Sequence, residues 1–249
     1  MTSKPIISVI SLLLLIAFWA ALAMVVADAD TLPRPDRLIA PFFDELRSGD
    51  LWFHLSATLV RVAWAFVFAM SLGTVLGYVM GRFAKVNLWL DPWLVLFLNL
   101  PALVLIVLCY LWVGLNEMAA ILAVTLNKVP NVAVVIREGV RARSQSLDDL
   151  AQVYELSWRS RLWDIAIPQL APYLIAAGRG GLSIIWKIVL VVELLGRSNG
   201  IGFQIHLYFQ LFDITLVLVY ALSFVVVMLV FEWLFLQPLE RRISRWRSV

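Results

Sequence analysis

The chain carries very little with which to do covalent chemistry. Its single cysteine, Cys109, sits inside an apolar run, which excludes an internal disulfide and any cysteine-based metal cluster. His54 and His206 are the only histidines, far apart and without metal-ligand spacing, so no metal site is expected. No glycine-rich loop ending in Gly-Lys-Ser/Thr is present, and with it goes the usual cradle for ATP phosphates. The "GRGG" at 178–181 lies in an oily segment and lacks the following Lys-Ser/Thr. No nucleophile–base pair is signalled either. Charge is scarce as well: 15% of the 249 residues, against about 25% in a soluble domain.

What fills the space is oil. Hydrophobic residues make up 62% of the chain and the mean hydropathy is +0.90, whereas soluble domains hold about 45–50% apolar residues. A chain of this length cannot hide that much apolar surface from water, so its solvent is a bilayer. The eleven tryptophans fit, because aromatic rings anchor helices at the headgroup level. A net charge of +3 raises nucleic acid as a partner. The basic residues flank oily segments, however, where lipid headgroups explain them, and no nucleic acid is expected.

Apolar stretches near the ~20 residues that cross a bilayer occur at about 6–27, 54–81, 93–113, 117–137, 173–195 and 213–236. The fold class expected is therefore all-α, a polytopic membrane protein of six transmembrane helices. An even number of spans puts both termini on one side, and the basic residues choose it. With a cytoplasmic amino terminus, the inner side receives Lys4, Arg82, Lys85, Arg137, Arg141, Arg143, Arg159, Arg161, Arg241, Arg242, Arg245 and Arg247. The outer side receives only Arg34, Arg37, Arg47 and Arg197. Both termini are thus expected in the cytoplasm. The first stretch, with Lys4 and "ADA" at 27–29, resembles a secretory signal, but its apolar run exceeds the 7–15 residues of a signal core. It is expected to stay as a helix. No repeat, low-complexity tract or Gly/Ser linker divides the chain, so residues 1–249 are read as one membrane domain.

One stretch breaks the pattern: "SLDDLAQVYELSWRSRLWDIAIP" at 146–168, polar and facing the cytoplasm by the charge count. Ser146 with Asp149 has the form of a capping box. Leu147, Leu150, Ala151 and Tyr154 recur at helical spacing and give one greasy face, with Asp148 and Asp149 in the first turn, where the helix dipole favours them. Ser157 caps a second short helix that Pro168 is expected to stop after Ile165 and Ile167. Two short amphipathic helices at about a right angle result. Their greasy face rests on lipid headgroups or on a partner protein.

These residues resemble a signature of bacterial ABC importer permeases: Glu-Ala-Ala, three residues, Gly, nine residues, Ile, one residue, Leu-Pro. At that spacing this chain has Asp149, Leu150, Ala151, Glu155, Ile165, Ile167 and Pro168. A left-handed turn at the glycine position costs a non-glycine residue about 1 kcal/mol or more, so the turn at Glu155 is expected to differ from the family's. "WVGLNE" at 112–117 resembles the Trp-Phe-Gly-(apolar)-Gly-Glu segment of the branch importing nitrate, taurine and alkanesulfonates. "ELLGRSNGIGFQI" at 193–205 is similar to that branch's Glu-Leu/Met-(apolar)-Gly/Ala…Gly-Leu-Gly segment, and Arg179 and Trp186 fall where the branch often has Arg and Trp. The resemblance covers about 50–240.

It implies a binding-protein-dependent inner membrane component in the bacterial inner membrane. Two copies, as a homodimer, would form a pathway. Each hairpin, between helices 4 and 5, would dock on one of two separate ATP-binding cassette subunits through Asp149, Leu150, Ala151, Tyr154, Glu155, Ser157, Ile165 and Pro168. A periplasmic or lipid-anchored solute-binding protein would deliver the solute. ATP would be bound by the partner, so this chain is expected to hold no cofactor and to be no enzyme.

Charged groups in mid-membrane cost about 2.5–3.5 kcal/mol each, and each needs a reason. Arg61 is expected to snorkel or to be paired. Asn127 and Asn131 share a face beside Lys128 and Pro130; Lys187, Arg179 and Glu193 lie along the fifth span. Asn127, Lys128, Asn131, Arg179, Lys187 and Glu193 are candidates for a pathway whose basic lining admits a small anion such as a sulfonate, taurine, nitrate or carboxylate. The competing reading is an interhelical Lys–Glu salt bridge. Gly73, Gly77 and Gly81 favour close helix contact, within the subunit rather than at a dimer seam. An ion-gradient-driven secondary carrier is the alternative, but no inverted repeat is evident. A membrane-embedded enzyme ranks third, for want of a catalytic cluster.

Overall fold

The computed structural model describes residues 3–28 and 30–236. Every element among them is helical: α1 (Ser3–Val26), a 3-10 turn (Pro35–Leu38), α2 (Ile39–Ser48), α3 (Asp50–Arg82), α4 (Ala84–Asn99), α5 (Ala102–Val113), α6 (Glu117–Arg141), α7 (Gln145–Val153), α8 (Trp158–Ser160), a π turn (Arg161–Ala166), α9 (Ile167–Gly196), α10 (Ile201–Gln210), α11 (Ile214–Phe231) and a closing π turn (Glu232–Leu236). The arginines at 241, 242, 245 and 247 lie outside the described residues.

Four helices are long and apolar enough to cross a membrane: Asp50–Arg82, Glu117–Arg141, Trp158–Gly196 and Ile214–Leu234. The third expected span, 93–113, is not one helix. α4 and α5 form a pair bent by 99°, broken where Leu100 takes an extended backbone (ψ 125°) before Pro101. The proline ring clashes with a helical residue ahead of it, and that clash sets the break. An apolar helix also runs through Ile10–Val26. Its side chains are nearly all exposed, with Ala23 the buried exception among those described.

Small residues build the centre. Ala65 and Ala69 of α3 meet Ala119, Ala120 and Ala123 of α6 and Ile185, Val189 and Val192 of α9 in one core. Further along, α3 presses its glycines on α6: a Cβ at Gly73 would lie 2.5 Å from Val132 Cβ, one at Gly81 2.6 Å from Val140 Cβ, and one at Gly77 would collide with the Ala133 carbonyl. The glycine repeat therefore packs helices of the same chain, as the sequence suggested. Outside this core the helices turn large apolar side chains outward: Trp64, Phe68, Leu72 and Val75 on α3, Val225, Val226 and Leu229 on α11 are all exposed. Only a lipid environment makes that surface favourable.

Candidate functional site

The hairpin begins two residues earlier than its serine pattern indicates. Ser144, not Ser146, is the residue that precedes the helix, and its side chain makes no capping bond to α7. Its N–H instead donates to Gln169 Oε1 (2.8 Å), which ties the start of α7 to the start of α9. Ser146 lies inside the helix, so the Ser146–Asp149 capping box does not form. The other end is closed by backbone. Leu156 N–H donates to Ala151 O (3.0 Å) and Glu155 N–H to Gln152 O (3.1 Å), the paired bonds of a Schellman ending. That ending needs a left-handed residue after the helix, and Glu155 supplies it with φ 47°. The expectation that glutamate would change the turn is overturned, because two hydrogen bonds offset the left-handed cost.

Ser157 caps the next helix as expected, accepting from Ser160 N–H (3.2 Å). Pro168 does not stop it. The chain is helical without interruption from Trp158 to Gly196, 39 residues. The reason lies just upstream: between Arg161 and Ala166 the helix widens to π geometry, with Ile167 N–H reaching back to Leu162 O. A proline cannot donate to the carbonyl four residues before it and its ring crowds that carbonyl; a wider turn beforehand gives the ring room.

Arg161, which the sequence marks only as one of the inner-side charges, locks the corner. Its Nε donates to Leu156 O (3.1 Å) and its Nη2 to Ala151 O (3.2 Å), satisfying carbonyls at the negative end of α7. Ala151 is only 2% exposed, so it faces its own chain and offers nothing to a partner. Leu147, Leu150, Val153 and Tyr154 are the outward surface, Tyr154 at 70% exposure. Ile165 is half-buried, Pro168 exposed.

At the opposite end of the bundle, Arg61 is paired rather than snorkelling. It is 3% exposed; Nη1 donates to Glu193 Oε1 (2.6 Å) and to Asn199 O (2.9 Å). Its Nε and Nη2 form a fork on Glu117 (2.8 and 2.6 Å), and Nη2 also meets Asn199 Oδ1. Glu117 is shared with Arg197 Nη2 (2.7 Å). The other oxygen of Glu193 accepts from Thr58 Oγ1 and from Gly202 N–H, both at 2.9 Å. Two arginines and two glutamates thus cancel in a cluster joining α3, α6, α9 and α10, with Arg61 and Glu193 buried at its centre and Glu117 exposed at its edge. The segments "WVGLNE" and "ELLGRSNGIG" meet here, with Arg61 as the bolt between them. The network also fixes a tautomer. Gly200 N–H donates to His54 Nδ1 (3.0 Å), so the proton of a neutral ring sits on Nε2 and points at the Gln204 amide 2.6 Å away. Turning that amide to present Oε1 satisfies both, including an oxygen otherwise buried without a partner.

Of the six pathway candidates, Glu193 is held inside this cluster: its exposure is 0% and both oxygens are engaged. The interhelical pair it makes is with Arg61; among the described residues, neither Lys128 nor Lys187 has a carboxylate within ion-pair distance. Arg179 pairs with Glu232 (3.2 Å) where α9 meets the closing π turn. Lys128 is buried at 4% exposure, its Cε 3.2 Å from where a Cβ on Gly181 would be. Lys187 is exposed. It lies six residues beyond Gly181 on α9, about two-thirds of a turn round, so the two lysines do not converge. Asn127 is half-buried and Asn131 exposed, linked by Asn131 Nδ2 to Asn127 O (3.4 Å).

Comparison with known proteins gives the arrangement its context. In backbone, the chain superposes on a chain of a crystallised amino acid ABC transporter with a TM-score of 0.65 at 20% identity, over 81% of this chain and 98% of the other, which shows the fold. In sequence it is 29% identical over 235 residues to a putative aliphatic sulfonates transport permease protein of Bacillus subtilis, covering 94% of this chain and 85% of the relative. It is 26% identical over 240 residues to the taurine transport system permease protein of Escherichia coli (94% and 87%). A bicarbonate transport system permease protein of Synechococcus elongatus matches at 28% over 189 residues (74% and 68%). Residues 69–245 match the model of the binding-protein-dependent transport system inner membrane components, and the chain belongs to that family: it is the permease subunit of an ABC transporter.

Proposed function

We propose that this permease imports a small organic or inorganic anion of the sulfonate or taurine type across the bacterial inner membrane, drawing its energy from a separate ATPase through the hairpin. The relatives transport aliphatic sulfonates, taurine and bicarbonate by name, and basic groups within the spans lower the barrier to an anion. Six crossings, with α4 and α5 as one bent span and both termini cytoplasmic, agree with where the basic residues fall. Two copies form the pathway, two ATP-binding cassette subunits bind and hydrolyse ATP, and an extracytoplasmic solute-binding protein supplies the solute. Asn127, Asn131, Lys128 and Lys187 are the groups assigned to the pathway.

The observation that carries the reading is the hairpin's construction. α7 presents Leu147, Leu150, Val153 and Tyr154 outward, all four exposed, while Arg161 and the Schellman bonds fasten it to a helix running through the membrane. A greasy face fixed to a rigid helix is what a docked partner can push. Glutamate at Leu150 and Tyr154 tests it: the ATPase is expected to be lost on co-purification, along with ATP-driven taurine uptake. Undiminished association and uptake would overturn it. Charge at Ala151 is a poorer test, because that residue is buried within the hairpin.

A further inference from the structure

α2 is fastened to the bundle along one edge and stands off from it along the other. The Tyr220 hydroxyl of α11 donates to Glu45 Oε2, and Phe42 and Leu46 pack on the core. Phe43, two residues from Glu45, lies about 200° round the helix from it. Between that second edge, the first turns of α3 and the face of α11 lies a cavity of about 410 Å³. Ile39 and Phe43 of α2, Trp52 of α3, and Leu222 and Val226 of α11 ring its mouth, and all five are exposed. The one polar side chain in the lining is Ser223, whose hydroxyl is spent on Val219 O (2.6 Å). Water finds no partner there: the space has the volume of about a dozen molecules, and each needs about two to four hydrogen bonds.

We infer that an acyl chain of a phospholipid occupies this cavity, with the phosphate of the same lipid on Arg47. The ring of exposed side chains continues along α11 into Leu229 and Val230, so the mouth opens on the surface that faces lipid. Its depth matches the junction of head and tail. Trp52 stands at the mouth, as tryptophan does at the headgroup level, and Asp44, Arg47 and Ser48 of α2 are exposed beside it. Arg47 follows Ile39 and Phe43 at intervals of four, on the same stripe of α2. Among the described residues no carboxylate lies within ion-pair distance of it, and a guanidinium pairs with two phosphate oxygens at once. Asp44 and Asp50 flank Arg47 in sequence. They oppose a head of net negative charge and favour one that carries an ammonium, phosphatidylethanolamine over phosphatidylglycerol. A membrane helix of a second copy does not fit, because at about 10 Å across only about one turn of it fills this volume. The filled cavity braces α2 against α3 and α11. The site shares no residue with the hairpin or the pathway and rests on neither.

The test uses the full-length protein, stripped of lipid in detergent micelles and titrated with phosphatidylethanolamine bearing a diazirine at the end of one acyl chain. After irradiation, label is expected to concentrate in peptides of α2, the start of α3 and α11, to saturate, and to be displaced by unlabelled phosphatidylethanolamine more readily than by phosphatidylglycerol. Val226→Trp fills the cavity and is expected to abolish that label. Val225→Trp places the same bulk on the neighbouring residue, which does not line the cavity, and is expected to leave the label in place. Arg47→Gln is expected to weaken the apparent Kd about tenfold, the loss of one charge-assisted pair, and Arg47→Lys to restore part of it. Should Val226→Trp fail to fold, displacement on the unaltered protein and the two Arg47 variants still decide. Label spread evenly over the exposed apolar faces, or unchanged by both Val226→Trp and Arg47→Gln, overturns the inference. So does cross-linking of a photoreactive residue at Phe43 to a second copy of the chain, in nanodiscs of phosphatidylethanolamine, rather than to lipid.

Discussion

Single residues in this protein carry loads set by where the membrane begins and ends. Glu193 is the clearest. With its carboxylate made neutral as Glu193→Gln, the buried guanidinium of Arg61 loses one of its two counter-charges in a place water does not reach. Removing one member of such a pair costs about 3–5 kcal/mol, so thermal unfolding in detergent is expected to shift down by many degrees. Arg61→Met combined with Glu193→Met is expected to recover part of the loss, since no lone charge remains between them. Glu155 bears a smaller load. Its left-handed backbone (φ 47°) suits glycine, and Glu155→Gly is expected to gain about 1 kcal/mol, seen as slower hydrogen exchange at Leu156 N–H. If exchange quickens instead, the Glu155 side chain contributes more to the corner than its backbone costs.

The elements were legible in the sequence where hydrophobicity was the whole signal, and illegible where hydrogen bonding overrode it. The runs at 54–81 and 117–137 mark α3 and α6 closely, because a helix in lipid must be apolar and about as long as the bilayer is thick. The run at 93–113 hid a right-angle break, since the break changes no composition and only Pro101 marks it. Ser146 looked like a cap, yet the start of α7 is fixed by Ser144 bonding to Gln169, a partner 25 residues away that no local pattern displays. Pro168 read as a stop because a proline in a regular α-helix is one; the π turn that accommodates it has no sequence mark. The pathway list was legible as a list of charges in oil, but which of them face each other was not: Glu193 found Arg61, from another helix, instead of a lysine. The π turn has a testable consequence. Pro168→Ala removes its cause, and the helix is expected to regularise between Arg161 and Ile167, turning α7 relative to α9. Binding of the ATPase subunit is then expected to survive while taurine uptake per ATP hydrolysed falls; unchanged coupling would show that the hairpin's angle carries no part of the stroke.

For the whole molecule, orientation is the first quantity to settle. Cys109 is buried, and with Cys109→Ala the chain becomes a blank for labelling. In intact cells, an impermeant maleimide is expected to react with Ser198→Cys and to spare Tyr154→Cys until the membrane is opened; both residues are exposed, so access alone decides. The reverse pattern would invert the protein and place the hairpin beyond the reach of any ATPase. The charge cluster at the far end then acquires a mechanical meaning. It pins α3, α6, α9 and α10 to one another at a point near the last turn of α9, and the helix from Trp158 to Gly196 is about 58 Å long at 1.5 Å per residue. A rod hinged near its tip swings widest at its foot: about 5° of tilt carries the foot through about 5 Å. On the proposed coupling to an ATPase, the mouth nearest that partner is then the one expected to open and shut, with the arginine bolt as its pivot.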